Sequence, residues 1–232
     1  MLDRACVRYS GTIVVLALVT VGIASTLQAQ TGGGRGAQAP AGAAPGQGRG
    51  GGIYPEYEPD DDAGFARIFD GKTLEGWDGD TTFWRAEDGV IVGETSAQKV
   101  VKTNSFLIWR GGTVRDFELK VEFRISGTNS GIQYRSTELP EVGKWVLKGY
   151  QADIDFGGEY LGNIHEERGR KPGHVVLARR GMVTRVSDGP KYRTLGTIAD
   201  PTLLKGVVNI NGWNRYHIIA RGPVLVRSST AS

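Results

Sequence analysis

The chain has 232 residues, 39% of them hydrophobic, with 35 Gly, 9 Pro and a single Cys. That is enough apolar material for one domain with a core, which excludes wholesale disorder, and one Cys excludes a disulfide scaffold or a Cys-rich zinc module. The formal charge of +3 is unevenly placed: residues 1–52 hold four bases (Arg4, Arg8, Arg35, Arg49) against Asp3, which leaves 24 bases and 24 acids from residue 53 onward, so the electrostatic footprint of a nucleic-acid binder is absent.

Met1 to Arg8 is a short basic start, followed by the apolar run Ile13 to Ile23. The run is shorter than the roughly 20 residues a membrane span needs. With the small polar stretch that follows, it predicts a signal peptide over residues 1–29, cleaved after Ala29. Cys6 precedes the apolar run, so lipidation at a Cys after it is not expected, and the processed chain would carry no Cys. Residues 30–62 are predicted to be a disordered tether: Thr31 to Gly52 holds 10 of the 35 Gly and no large apolar side chain, so it cannot offset chain entropy by burial. An acidic patch, Glu56, Glu58, Asp60, Asp61 and Asp62, leads into the domain at 63–232.

The domain reads as β throughout. In Asp116–Ile125, Phe117, Leu119, Val121, Phe123 and Ile125 alternate with Glu118, Lys120, Glu122 and Arg124, the period of a strand with one buried and one wet face. Further strands are expected at Thr82–Ala86, Val90–Glu94, Phe106–Trp109, Gly131–Arg135, Gly149–Asp155, Val175–Ala178, Met182–Val186 and Trp213–Ala220. Turn signals such as Glu87-Asp88-Gly89 and Ser187-Asp188-Gly189-Pro190 separate them. No segment carries a long helical period. The pattern predicts an all-β sandwich or jelly roll.

Most chemical motifs are missing. His165-Glu166-Glu167-Arg168 begins like a zinc-protease helix, but Gly169 stands where the second His belongs. There is no nucleophile elbow and no P-loop. Carboxylates, arginines, amides and aromatics on strands remain, an inventory that suits sugars.

Several stretches in order resemble one family: Ile68–Trp77 (IFDGKTLEGW), Trp84–Ile91 (WRAEDGVI), Asp116–Arg124 with Asn129–Arg135 (NSGIQYR), Gly149–Ile154 (GYQADI), Gly162–Glu167 (GNIHEE) and the strand in Gly212–Gly222. Together, over about Phe65 to Ala220, they resemble the 3-keto-disaccharide hydrolase domain. The resemblance implies a concanavalin-A-like jelly-roll β-sandwich of two antiparallel sheets with the site on the concave one. It also implies an exported enzyme, periplasmic or extracellular, that cleaves 3-keto-glycosides. The ketone at C3 acidifies the C2–H bond. A base removes that proton, the C1 substituent leaves by β-elimination, and water adds to the enone. Such a route requires a base, a stabiliser of the enolate oxygen and an acid at the leaving oxygen.

Strand alternation puts Gln133 and Arg135 on one side of their strand and Gln151, Asp153 and Asp155 on one side of theirs. Arg135 is either an enolate stabiliser or an ion-pair residue. Asp153 is either the base, a metal ligand or a structural hydrogen-bond partner. Glu166 or Glu167 is the acid/base candidate, with Arg168 or Arg170 beside it. Asp153, Glu166 and Arg135 form the expected catalytic set. Asn129, Gln133, Gln151, His165, Glu167, Arg170, Trp109 and Trp145 are the expected substrate contacts; the two tryptophans are sugar platforms or core. His165 stands where the family often has an aromatic such as Tyr. A divalent metal ion is left open as a cofactor. The partner is a small carbohydrate, with no nucleic acid and no membrane span once the leader is removed. A non-catalytic carbohydrate-binding module on the same fold is the alternative, and a tethered adhesive protein a third reading. The last five residues, Ser228–Ser232, read as an accidental tail of a C-terminally truncated sandwich, with an exposed edge.

Overall fold

The structure, a computed structural model, describes residues 6–8, 11–12, 14–19, 62, 64–127, 129–187, 189, 191–209 and 212–231. The expected cleavage site after Ala29 and the tether over 30–62, Asp62 apart, lie outside the described residues. In chain order the strands are β1 (Cys6–Arg8), β2 (Gly11–Thr12), β3 (Val14–Val19), β4 (Ala66–Arg67), β5 (Trp77–Asp78), β6 (Trp84–Glu87), β7 (Val90–Gly93), β8 (Ser105–Trp109) and β9 (Thr113–Val114). They continue with β10 (Phe117–Phe123), β11 (Asn129–Glu138), β12 (Leu147–Asp155), β13 (Ile164–Glu167), β14 (His174–Ala178), β15 (Met182–Val186) and β16 (Tyr192–Thr197). A single-turn helix α1 (Pro201–Lys205) precedes β17 (Asn214–Arg221) and β18 (Val224–Ala231).

Two antiparallel sheets form the sandwich. One runs β18-β17-β10-β1-β4, the other β14-β13-β12-β11-β3-β8-β5. This is the expected all-β jelly-roll class. The alternation in β10 explains why the layers close. Phe117, Leu119 and Phe123 are buried in the core, joined by Tyr216, Ile218 and Ala220 of β17 and by Ile132, Tyr134, Ala152 and Ile154 of the facing sheet. Each large apolar side chain buried there contributes about 2 kcal/mol, so a one-residue slip of β10 would be prohibitive. The opposite face of β10 is polar and paired across strands: Glu118 meets His217 and Arg221, and Glu122 meets Arg215. The β6–β7 hairpin turns at Asp88 and Gly89, both at positive φ (49° and 83°), the backbone that makes Asp-Gly a hairpin signal.

Three segments not expected as strands nevertheless pair. Tyr192–Thr197 pairs with β15, the tail Val224–Ala231 runs along β17 over its whole length, and Val14–Val19 lies between β11 and β8. Among the described residues no helix is long and apolar enough to cross a membrane.

Candidate functional site

The site lies on the face of the seven-stranded sheet turned away from the core. In β12, Ala152 and Ile154 enter the core and Tyr150 packs against it, so Gln151 and Asp153 point the other way. Register carries that face sideways. Gln133 of β11, Gln151 of β12 and His165 of β13 stand directly opposite one another, and Gly131 stands opposite Asp153.

Asp153 and His165 form the centre. His165 Nδ1 lies 2.8 Å from Asp153 Oδ2, and Gln151 Nε2 donates to Asp153 Oδ1 at 2.7 Å. Both members are buried, His165 at 4% exposure and Asp153 at 7%. A ring nitrogen that close to a carboxylate oxygen carries the proton, so in the neutral ring Nε2 presents its lone pair. Nε2 has no partner among the described residues, although it is buried. Gln151 Oε1 and both amide atoms of the fully buried Gln133 are likewise unpartnered. Buried polar atoms are nearly always hydrogen-bonded, so four orphans in one patch ask for a ligand or water.

The ring of His165 is held by its neighbours. His174 stacks parallel to it at 5.6 Å, and Tyr160 meets it edge-on at 6.0 Å. Gln151 reaches Asp153 across a space that only glycine leaves open, because a Cβ on Gly131 would stand 2.7 Å from Gln151 Cγ and Cδ. Tyr216, from the other sheet, donates its hydroxyl to the Asp153 backbone carbonyl. Burial pushes that phenol up to about 12, so it remains a donor.

Glu167 shares this face, two register pairs along from His165, opposite Gly149 and His174. It is 6% exposed, and its desolvation raises the carboxyl above its ordinary value despite Arg168 at 3.3 Å. A carboxyl held towards its neutral form can donate a proton.

Other expected residues lie elsewhere. Glu166 stands opposite Tyr150, on the core-facing side, where Arg170 binds it through both its guanidinium and its backbone N–H. Arg170 also donates to the Ser187 carbonyl at 3.0 Å. Glu166 and Arg170 therefore tie the loop after β13 and do not join Asp153. Arg135 falls at a register break between Tyr134 and Thr137, with φ at 49°. The bulge undoes the alternation, and the guanidinium turns to Asp116 at 3.1 Å and the Arg115 carbonyl at 3.0 Å. It ties β11 to the link before β10 rather than joining the site face. Trp109 is core, at 5% exposure, on the opposite side of β8 from Phe106 and Ile108. Asn129 shares the site face at the exposed start of β11.

Trp145 bounds the apolar end of the same face, packing on Phe106, Ile108 and Leu147. Its indole N–H donates to Asp78 Oδ1 at 2.6 Å, and the Lys144 ammonium lies 4.1 Å above its ring. Asp78 and Glu138 share Arg110. The Trp145 hydrogen bond, then Arg110, hold Asp78 below the usual carboxylate range, and Arg110 does the same for Glu138.

His165 was legible as a contact residue but not as half of a dyad. Its partner is diagonal across two strands, and only register sets that. Among the described residues no group of three or more His, Cys, Asp or Glu side chains could hold a metal ion.

A family model described as a 3-keto-alpha-glucoside-1,2-lyase-like domain matches residues 64–227. No curated protein and no solved structure matches the chain.

Proposed function

The chain belongs to the family of 3-keto-alpha-glucoside-1,2-lyase-like domains, and from that premise we propose that it is an enzyme cleaving 3-keto-glycosides by elimination, with His165 as the base. The observation that carries this reading is the buried Asp153–His165 pair with its unpartnered Nε2.

The base is His165 rather than Asp153. Both Asp153 oxygens already accept hydrogen bonds, from Gln151 and from His165, so the carboxylate orients the ring and stabilises the imidazolium that forms. His165 Nε2 takes the C2 proton of the sugar. The electron pair becomes the C1=C2 bond while the C1–O bond breaks, and the departing oxygen takes a proton from Glu167. The Gln133 amide, buried beside Gln151 and unpartnered among the described residues, donates to the C3 enolate oxygen as charge develops. Water then adds across C1=C2: its hydroxyl goes to C1, its proton restores Glu167, and His165 returns a proton to C2. The sum is hydrolysis without an oxocarbenium ion, which explains why no carboxylate pair of glycosidase type is needed.

The test is incubation of the purified chain with 3-keto-trehalose or a 3-keto-glucoside, following release of the aglycone. Asp153→Asn and His165→Asn are expected to remove turnover while ligand binding persists. Sugar binding by the unmodified chain without any turnover would overturn the enzymatic reading in favour of a binding module.

A further inference from the structure

The 24 bases and 24 acids from residue 53 onward cancel in sum but not in place. Residues 179–207 hold six bases (Arg179, Arg180, Arg185, Lys191, Arg193 and Lys205) against Asp188 and Asp200. Three of the six belong to one hairpin. β15 and β16 form a two-stranded sheet apart from the two sheets of the sandwich, and every residue of β16 is exposed. The Arg170 guanidinium, donating to the Ser187 carbonyl at 3.0 Å, ties this hairpin to the loop after β13.

Register gathers the charge. Arg185 stands directly opposite Arg193, and Ser187 donates its backbone N–H to the Lys191 carbonyl at 3.2 Å. Arg185, Ser187, Lys191 and Arg193 therefore share one face. Like charges directly opposed destabilise a strand pair, and a lone two-stranded hairpin is marginally stable at best in water. None of the three cations has an ion-pair partner among the described residues, whereas Arg85, Arg110, Arg135, Arg170 and Arg221 each meet a carboxylate. Asp188, the acid of the connecting turn, lies outside the described residues. The four residues line, together with Tyr192, an open pocket of about 530 Å³. Tyr192 is 44% exposed there.

We propose that this face of the β15–β16 hairpin is a binding site for an acidic glycan, a sugar chain bearing carboxylate or phosphate groups, and that it shares no residue with the Asp153–His165 site. Two guanidinium forks on neighbouring strands, roughly 5 Å apart at Cβ, suit the oxygens of one carboxylate or phosphate, which an Arg fork meets with two parallel N–H bonds. Lys191 adds a third positive charge. The Ser187 hydroxyl hydrogen-bonds to sugar hydroxyls, and the exposed Tyr192 ring offers a flat surface to a sugar C–H face. A bound oxyanion neutralises the Arg185–Arg193 pair. The site holds the domain on a charged polymer, whatever chemistry occurs at His165.

The test is calorimetric binding of the full chain to polygalacturonate fragments and to a phosphorylated mannan, with neutral galactan and mannan fragments as controls. No turnover is read, so failure here and failure of the elimination reading are separate results. At least one acidic chain is expected to bind, more weakly as salt rises, and the tighter of the two identifies the oxyanion. Arg185→Gln with Arg193→Gln is expected to lose about tenfold or more in affinity and to melt no lower than the parent, because a repulsion is removed. Lys72→Gln with Lys99→Gln removes the same charge from exposed positions outside the hairpin and is expected to bind as the parent does. Equal affinity for acidic and neutral chains would overturn the proposal. So would equal losses in the two double variants, or binding to phosphatidylglycerol vesicles in preference to both acidic glycans. Where the arginine variant fails to fold, the parent's discrimination between acidic and neutral chains decides.

Discussion

Asp153 receives Gln151 on one oxygen and His165 on the other, so its replacement by Asn leaves the shape but presents an N–H where His165 Nδ1 needs an acceptor. The ring would then favour the other tautomer, with Nε2 protonated and useless as a base. Asp153→Asn is expected to lower kcat about 10²- to 10⁴-fold, the usual worth of a positioned base, with an unchanged thermal melt. Equal activity of the two chains would exclude the dyad. Glu167 gives a pH test. Desolvation raises its carboxyl in the folded state, so the stability it contributes is complete below the unfolded value, about 4.3, and is lost as pH rises through the folded value. Glu167→Gln, neutral at every pH, is therefore expected to match the parent Tm at pH 4 and to exceed it increasingly towards neutrality. A gap that does not change with pH would refute the burial effect. In the elimination assay the same variant is expected to be slow with poor leaving groups and less impaired with good ones.

At the level of elements, the site depends on β11 and β12 lying closer than side chains on both would allow. Gly131 provides the space: Gly131→Ala would push a Cβ against Gln151, a flexible side chain that can swing aside. The fold is expected to survive, while Gln151 leaves Asp153 and turnover falls; wild-type kinetics would show that the Gln151 link is dispensable. The β11–β12 connection is held by Trp145 and Arg110, which keep Asp78 and Glu138 ionised. Depressed carboxyls contribute stability above their unfolded values near 4, and that contribution disappears as pH falls through the folded ones. Trp145→Phe, lacking the indole donor, is expected to melt below the parent at pH 7 and to converge with it in acid. The alternation in β10 and the Asp-Gly hairpin were plain in the sequence because each depends on residues close in the chain. The bulge at Arg135 was not: a strand reading that assumes strict alternation assigns Arg135 to the same face as Gln133, and the register break sends it to Asp116.

For the whole molecule, the tail strand β18 brings Arg227 between the sheets, opposite Ile218. Its guanidinium lies 4.6 Å from the Tyr216 ring and donates to the Gly162 carbonyl, but its Nε and Nη1 are buried without a partner. Arg180, beside it, has its basicity lowered by burial and then by Arg227. A half-buried cation with no carboxylate partner among the described residues contributes little stability, so Arg227→Met is expected to leave the melt unchanged or raise stability by about 1 kcal/mol; a loss of several kcal/mol would mean that the carbonyl contact is essential. The sequence alone determined the β class, the inward face of β10, the shared side of Gln151 and Asp153, and the family, since these follow from period-two patterning and local motifs. Tertiary structure decided that His165 joins Asp153, that Glu166 turns away, that Trp109 is core, and that β3 and β18 pair at all. Those outcomes depend on the register between paired strands, which no single strand specifies. A shift of one residue inverts every side chain, and no local pattern records which shift the packed core will accept.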